Sequence, residues 1–110
     1  MQDYEIYNVD LPIGRGHEQS GERPAVVVRA MNELDLCTVV PLTSNMQRAE
    51  LPYTVVISKT QLTNLKSDSV ALVINVGTIT AERIKGRMIG KLDSQQIEKI
   101  RTALKNLFKL

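Results

Sequence analysis

Eleven residues near the N-terminus, 14–24, concentrate the side chains most able to do chemistry. They include three glycines, the only histidine of the chain (His17), two glutamates and two arginines, and they end at Pro24. Imidazole titrates near neutral pH, so it can give or take a proton. A guanidinium matches phosphate oxygens through two parallel hydrogen bonds. Because glycines allow a backbone to approach a ligand closely, the stretch has the composition of a functional loop.

The residues that follow predict the element that positions this loop. Ala25 to Ala30 begins with a run of valines, which is typical of a strand buried on both faces. Pro24 fixes φ and donates no hydrogen bond, so it suits the first residue of that strand. The segment from Pro12 to Pro24 is therefore expected to be a long loop fixed at one end by a rigid strand, and loops of this length in small domains are usually functional.

A second polar group lies at the end of the next predicted strand, Leu36 to Leu42. Pro41 cannot donate to a sheet ladder, so it is expected to mark an edge or a bulge where Thr43 and Ser44 turn out of the core.

The remaining pattern predicts a small mainly β protein with one helix. Further strands are expected at 4–11, 51–57, 69–74 and 78–80, the first with a shift of apolar phase that is typical of a β-bulge. Asp93 and Gln96 form a capping-box pair, and an apolar stripe then runs through Ile97, Ile100, Leu104, Leu107 and Phe108. Five or six short strands and a terminal helix indicate a small, highly curved β-barrel or sheet with the helix docked on it.

Composition narrows the class of protein. The 110 residues suit one domain, 1–110, and 43% hydrophobic with 24% charged residues is ordinary for a soluble protein. A net charge of +2 permits a polyanionic partner, whereas 4% aromatic residues and no Trp argue against a base-stacking platform. The single Cys37 is expected in the core, so neither a disulfide nor a zinc site is predicted. With no signal peptide or membrane span in the sequence, we expect a cytoplasmic protein without a membrane partner.

Three motifs and the final helix together resemble one family. Residues 16–24 read Gly-His-Glu-Gln-x-Gly-x-Arg-Pro, residues 39–44 read Val-Val-Pro-x-Thr-Ser, and residues 69–72 read Ser-Val-Ala-Leu. In this order they resemble the MazF/PemK/Kid family, the toxin halves of prokaryotic toxin–antitoxin pairs. The resemblance implies an SH3-like, CcdB-like curved β-barrel with a C-terminal α-helix, assembled as a homodimer.

The resemblance also implies an activity and partners. Toxins of this kind are sequence-specific endoribonucleases (mRNA interferases) that cut single-stranded RNA without a metal or another cofactor. The 2′-hydroxyl attacks the scissile phosphate and leaves a 2′,3′-cyclic phosphate and a 5′-hydroxyl. The cognate antitoxin is expected to cover the basic cleft with a disordered acidic tail, and the toxin–antitoxin complex is expected to bind DNA.

By resemblance, the catalytic residues are Arg23 and Thr43, with His17 and Glu18 as candidate acid–base groups. Arg23 would hold the scissile phosphate and Thr43 would orient it. The alternatives are a surface arginine paired with a glutamate, a plain sheet-edge threonine, and a solvated histidine and glutamate. Which residue acts as base and which as acid stays open.

The RNA-binding candidates come from both polar segments and from a basic cluster at 83–87. They are Gly16, Gln19, Ser44, Asn45, Arg83 and Arg87. The alternatives are ordinary turn residues for Ser44 and Asn45 and a solvated face for the basic cluster.

One segment departs from the family pattern. Several relatives carry Gln-x-Arg-Thr-x-Asp after the fifth strand, where this chain has Gly77 and Thr80 in the Arg and Asp positions. A catalytically impaired relative that binds RNA or antitoxin is therefore the alternative function. A gyrase poison on the same fold is less favoured, because such toxins end in Trp-Gly-Ile and this chain ends in Phe108-Lys109-Leu110.

Overall fold

The computed structural model describes residues 1–12 and 21–110. This part of the chain forms strands and one helix in the following order: β1 (Glu5–Leu11), β2 (Gly21–Met31), β3 (Leu36–Thr43), β4 (Thr54–Ile57), β5 (Ser69–Leu72), β6 (Gly77–Thr80), β7 (Ile84–Lys91) and α1 (Ser94–Phe108). Short 3₁₀ turns occupy Asn32–Leu34, Met46–Glu50, Val73–Asn75 and Ala81–Arg83. The predicted mainly β fold with a C-terminal helix is confirmed.

All strand pairs are antiparallel, and the hydrogen-bonded order is β4-β5-β3-β2-β1-β7, with β6 also paired to β3. The sheet is curved, but among the described residues its end strands β4 and β7 do not pair, so it is not closed into the predicted barrel. Strand β3 changes partner along its length. Val39 pairs with Gly77 of β6, whereas Leu42 pairs with Ala71 of β5. Pro41, which cannot donate to a ladder, lies at this change.

Two apolar clusters lie on opposite faces of the central strands. Val26 and Val28 of β2 belong to the cluster that packs on α1, whereas Ala25 and Val27 belong to a second cluster with Val9, Leu11, Cys37 and Val39. The prediction of a strand buried on both faces is therefore confirmed, and so is the burial of Cys37.

The shift of apolar phase in β1 arises because this strand also contributes residues to both clusters. Ile6 packs in the cluster under α1 and Val9 in the second cluster, while the register of β1 with β2 runs without a break. The irregularity lies on the other side of β1, where pairing with β7 shifts between Ile6 and Asn8. Tyr7 at this point donates a hydrogen bond of 3.0 Å from its hydroxyl to Glu5, and burial together with this bond raises the pKa of the phenol.

Strands β2 and β7 depart most from the prediction, while β4 and β5 are shorter than the predicted 51–57 and 69–74. β2 begins at Gly21, so Pro24 lies inside the strand and pairs with Asn8 of β1. This is tolerated because the ladder with β3 begins only at Ala25, so a sheet ladder is formed on one side of Pro24. Strand β7 was not predicted, since it holds two glycines among charged residues and shows no clean alternation.

The helix begins where the sequence indicates. The Asp93 carboxylate accepts from the Gln96 backbone at 2.8 Å, and the Gln96 side chain accepts from the Asp93 backbone at 3.0 Å. Ile100 is fully buried against the sheet, with Ile97 and Leu104 packed beside it. Phe108, predicted in the apolar stripe, is instead 58% exposed. In the described part of the chain, no helix is long and apolar enough to cross a membrane.

Candidate active-site cleft

A cleft of about 820 Å³ lies at the end of the central strands. Its floor comes from β1, β2 and β3, and its walls come from β7 and from the segment between β4 and β5. The lining residues that carry the argument below are Asn8, Arg23, Thr43, Ser44, Lys66 and Arg87.

Arg23 and Thr43 come from the ends of neighbouring strands. Ala25 of β2 pairs with Pro41 of β3, so Arg23 and Thr43 each lie two residues beyond this pair, and both line the cleft. The Thr43 hydroxyl oxygen accepts a hydrogen bond of 3.2 Å from the Asn45 backbone. Because a hydroxyl that accepts one bond still has a proton to donate, Thr43 can present a donor to an anion.

The β7 wall is built by an irregular strand. Ile6 pairs with Gly90 and Asn8 with Lys85, so one residue of β1 lies between these pairs against four of β7. The extra residues bring Arg87 to the cleft. Gly86 has a φ of +76°, a conformation that a residue with a side chain rarely adopts, and this makes the local turn possible.

The second wall, residues 58–68, is held by its own hydrogen bonds and by its contact with β7. Thr63 is fully buried, and its hydroxyl accepts from the Thr60 backbone at 2.9 Å. The Asn64 side chain donates to the Ile89 carbonyl at 2.9 Å, and the Lys91 backbone donates to the Leu62 carbonyl at 3.0 Å. This segment (the loop wall below) is therefore fixed against β7 by contacts distant in sequence.

The charges of the cleft favour an anionic ligand. Among the residues that the structure describes, its lining includes the cations Arg23, Lys66 and Arg87 against one carboxylate, Glu22. Such an excess of cations in a concave site raises the local concentration of a polyanion. Within residues 1–12 and 21–110, no group of three or more His, Cys, Asp or Glu side chains is placed to hold a metal ion.

The structure brings some predicted site residues together and separates others. Arg23, Thr43, Ser44 and Arg87 line the same cleft. The Asn45 side chain accepts from the Gln47 backbone at 3.2 Å and caps a 3₁₀ turn, while Arg83 donates to the Asp10 carbonyl at 3.2 Å and does not line the cleft. Of the basic cluster at 83–87, Arg87 therefore lines the cleft and Arg83 does not.

The other four predicted site residues, Gly16, His17, Glu18 and Gln19, lie outside the described residues.

The two positions that depart from the family pattern lie elsewhere in the sheet. Gly77 pairs with Val39 and lines a smaller recess of about 360 Å³, and Thr80 pairs with Leu36. Neither lines the cleft that holds Arg23.

Several lining residues were not predicted. Asn8, Asn64, Lys66, Ser67 and Ser69 belong to this group. The sequence does offer a weak signal at Lys66, a cation within a polar segment, but nothing local indicates that this segment packs on β7.

Comparison with known proteins gives matches over nearly the whole chain. Residues 2–108 match the family described as PemK-like, MazF-like toxin of type II toxin–antitoxin system. Endoribonuclease MazF9 of Mycobacterium tuberculosis is 36% identical over 96% of this chain and 93% of its own length. Endoribonuclease EndoA of Bacillus subtilis is 30% identical over 91% of this chain and 87% of its own.

Solved structures share the fold. MazF from Deinococcus radiodurans superposes with a TM-score of 0.82 at 20% identity, over 100% of this chain and 97% of that one. A MazE-MazF structure from the same organism gives a TM-score of 0.76 at 20% identity, over 100% of this chain and 96% of that one.

Proposed function

Because this chain belongs to the family of PemK-like, MazF-like toxins of type II toxin–antitoxin systems, we propose that it is an endoribonuclease that cuts single-stranded messenger RNA at a specific sequence. Relatives at 36% and 30% identity are named endoribonucleases, and they align over most of this chain. The single observation that carries the proposal is that Arg23 and Thr43 line one cleft with an excess of cations.

The chemistry requires no metal. The 2′-oxygen forms a bond to the neighbouring phosphorus while the bond to the 5′-oxygen breaks, giving a 2′,3′-cyclic phosphate and a 5′-hydroxyl. Arg23 stabilises the added charge on the pentacoordinate phosphorus by a bidentate contact, and the Thr43 hydroxyl orients a phosphate oxygen. His17 and Glu18 accept the proton of the 2′-hydroxyl and donate a proton to the leaving 5′-oxygen.

The remaining binding candidates divide by position. Ser44 and Arg87 would contact the RNA from within the cleft, and Gly16 and Gln19 would contact it from the segment before β2. Asn45 and Arg83 would contribute only at the margin, because their side chains already bond to backbone groups.

The proposal extends to partners. One solved structure that shares the fold is of an endoribonuclease in complex with its cognate antitoxin from Mycobacterial species, and we propose that an acidic antitoxin segment covers the same cleft in this protein. We also propose a homodimer, DNA binding by the toxin–antitoxin complex, and action in the cytoplasm, where messenger RNA is translated.

The test is cleavage of a panel of single-stranded RNAs in the presence of EDTA. Arg23→Gln and Thr43→Val should each reduce the rate by about 10²–10³-fold, as expected for loss of a transition-state donor. Arg29→Gln and Thr102→Val are matched controls, because Arg29 is an exposed residue paired with Asp3 at 3.5 Å and Thr102 is exposed on α1.

Cyclic phosphate ends on the products would identify the 2′-hydroxyl as the nucleophile. If the folded wild-type chain binds RNA but leaves the whole panel intact, the alternative of an RNA-binding or antitoxin-binding module replaces this proposal.

A further inference from the structure

We propose that Lys66 of the loop wall and Arg87 of β7 form a second phosphate-binding position in the cleft, which holds a phosphate next to the one being cut. This inference rests on the proposed function, since it assumes that RNA enters the cleft. It assigns to the loop wall a positioning role in substrate binding.

The first step is that one hydrogen bond holds the two cations at the same end of the cleft. Asn64 donates from its side chain to the Ile89 carbonyl at 2.9 Å. Lys66 follows Asn64 by two residues, and Arg87 precedes Ile89 by two. Since a residue spans at most about 3.6 Å of backbone, the Cα atom of Lys66 lies within about 7 Å of that of Asn64, and the Cα atom of Arg87 within about 7 Å of that of Ile89.

The second step is that β7, which carries Arg87, lies apart from Arg23. Arg23 belongs to β2, and β1 lies between β2 and β7 in the sheet. Neighbouring strands are 4.7–4.9 Å apart, so the backbones of β2 and β7 are separated by about 10 Å. A strand of RNA bound at Arg23 therefore reaches Lys66 and Arg87 with a different phosphate.

The third step is that the loop wall is fixed before any ligand arrives. Ser69 is only 6% exposed, and its hydroxyl donates to the Ser67 carbonyl at 3.1 Å, directly beside Lys66. The Asp68 side chain accepts from the Lys59 backbone at 2.9 Å across the base of the segment. Lys66 itself is exposed, so it can contact a phosphate without first breaking a buried interaction.

The chemistry of the two side chains points to backbone contact. A lysine ammonium attracts phosphate as a point charge, and an arginine adds a planar pair of donors. Contacts to phosphate position a strand without reading its bases. The second position should therefore strengthen binding for every RNA sequence and leave the choice of cleavage site unchanged.

The experiment measures the salt dependence of binding to a 2′-O-methyl oligoribonucleotide, which lacks the attacking hydroxyl and stays intact. Each phosphate contact that is lost should reduce the slope of log K against log salt by about 0.7 on a single strand. Lys66→Gln and Arg87→Gln should each show this reduction. Lys59→Gln is the matched control, because Lys59 is an exposed lysine of the same segment that does not line the cleft.

Two outcomes would overturn the inference: an unchanged slope for Lys66→Gln in a folded protein, or an equal reduction for Lys59→Gln. Cleavage of unmodified RNA by the wild-type chain is assayed in parallel. If the wild-type chain does not cleave RNA, the proposed function is contradicted. If it cleaves RNA but Lys66→Gln leaves the salt slope unchanged, only the second phosphate position is contradicted.

Discussion

Gly90→Ala should destabilise the contact between β7 and the loop wall of the cleft. Gly90 is buried in β7, and a Cβ built there would lie 2.5 Å from the Leu62 carbonyl oxygen and closer still to that of Thr63. Both contacts are to backbone, so no side chain can rotate away and the loop wall itself must move. Overpacking of this kind costs about 1–3 kcal/mol.

The displacement also weakens the joint between the loop wall and β7. The bonds from Asn64 to Ile89 and from Lys91 to Leu62 span this contact. Each contributes about 0.5–1.5 kcal/mol, so the free energy of unfolding should fall by about 2–6 kcal/mol in total. For a chain of this size, that corresponds to a decrease in melting temperature of about 8–24 °C.

The assay is urea unfolding followed by circular dichroism, with Gly77→Ala as the matched control. A Cβ at Gly77 approaches no atom closer than the Asn75 carbonyl oxygen at 4.0 Å, so this variant should match the wild type or gain up to about 1 kcal/mol. If Gly90→Ala unfolds at the same urea concentration as Gly77→Ala, the close packing of the loop wall on β7 is wrong.

Three further predictions concern the core and the helix. Asp93→Ala removes the helix cap shared with Gln96 and should lower the free energy of unfolding by about 1 kcal/mol, with the exposed Asp10→Ala of β1 as the control in the same urea assay. Ile100→Ala leaves a cavity where a fully buried side chain joins α1 to the sheet, and should cost about 2–5 kcal/mol; an effect below 1 kcal/mol would contradict that packing. Burial raises the pKa of the Cys37 thiol, so the folded state holds that proton more tightly than the unfolded state does. Its contribution to stability is complete below about pH 8.5 and is lost as pH rises through the folded pKa. The unfolding midpoint of the wild type should therefore fall more steeply than that of Cys37→Ala in this alkaline range, and parallel curves would refute it.

Features that depend on neighbouring residues were predictable from the sequence. The capping pair Asp93 and Gln96 lies three residues apart, and the valine run of β2 needs no distant partner to indicate burial on both faces. The fold class and strand β3, which ends at Thr43, also follow from such local patterns. Phe108 was misjudged because helical spacing alone does not tell where the sheet beneath the helix ends.

Features that depend on distant contacts were not predictable. β7 has no clean alternation, since part of the strand bulges away from β1 at Gly86 and carries Arg87 into the cleft. Lys66 lines the cleft in a segment that packs closely on Gly90, and no local pattern contains that information. The pairing of β3 with two different strands also depends on the three-dimensional path of the chain.

Strands β2 and β3 contribute side chains to both apolar clusters, and this has a consequence for how the protein unfolds. Alternate side chains of the same two strands anchor both clusters. Neither cluster can lose its packing while the other keeps it, so the chain should unfold in one cooperative transition. The amide protons of this shared pair should be the last to exchange with solvent deuterium.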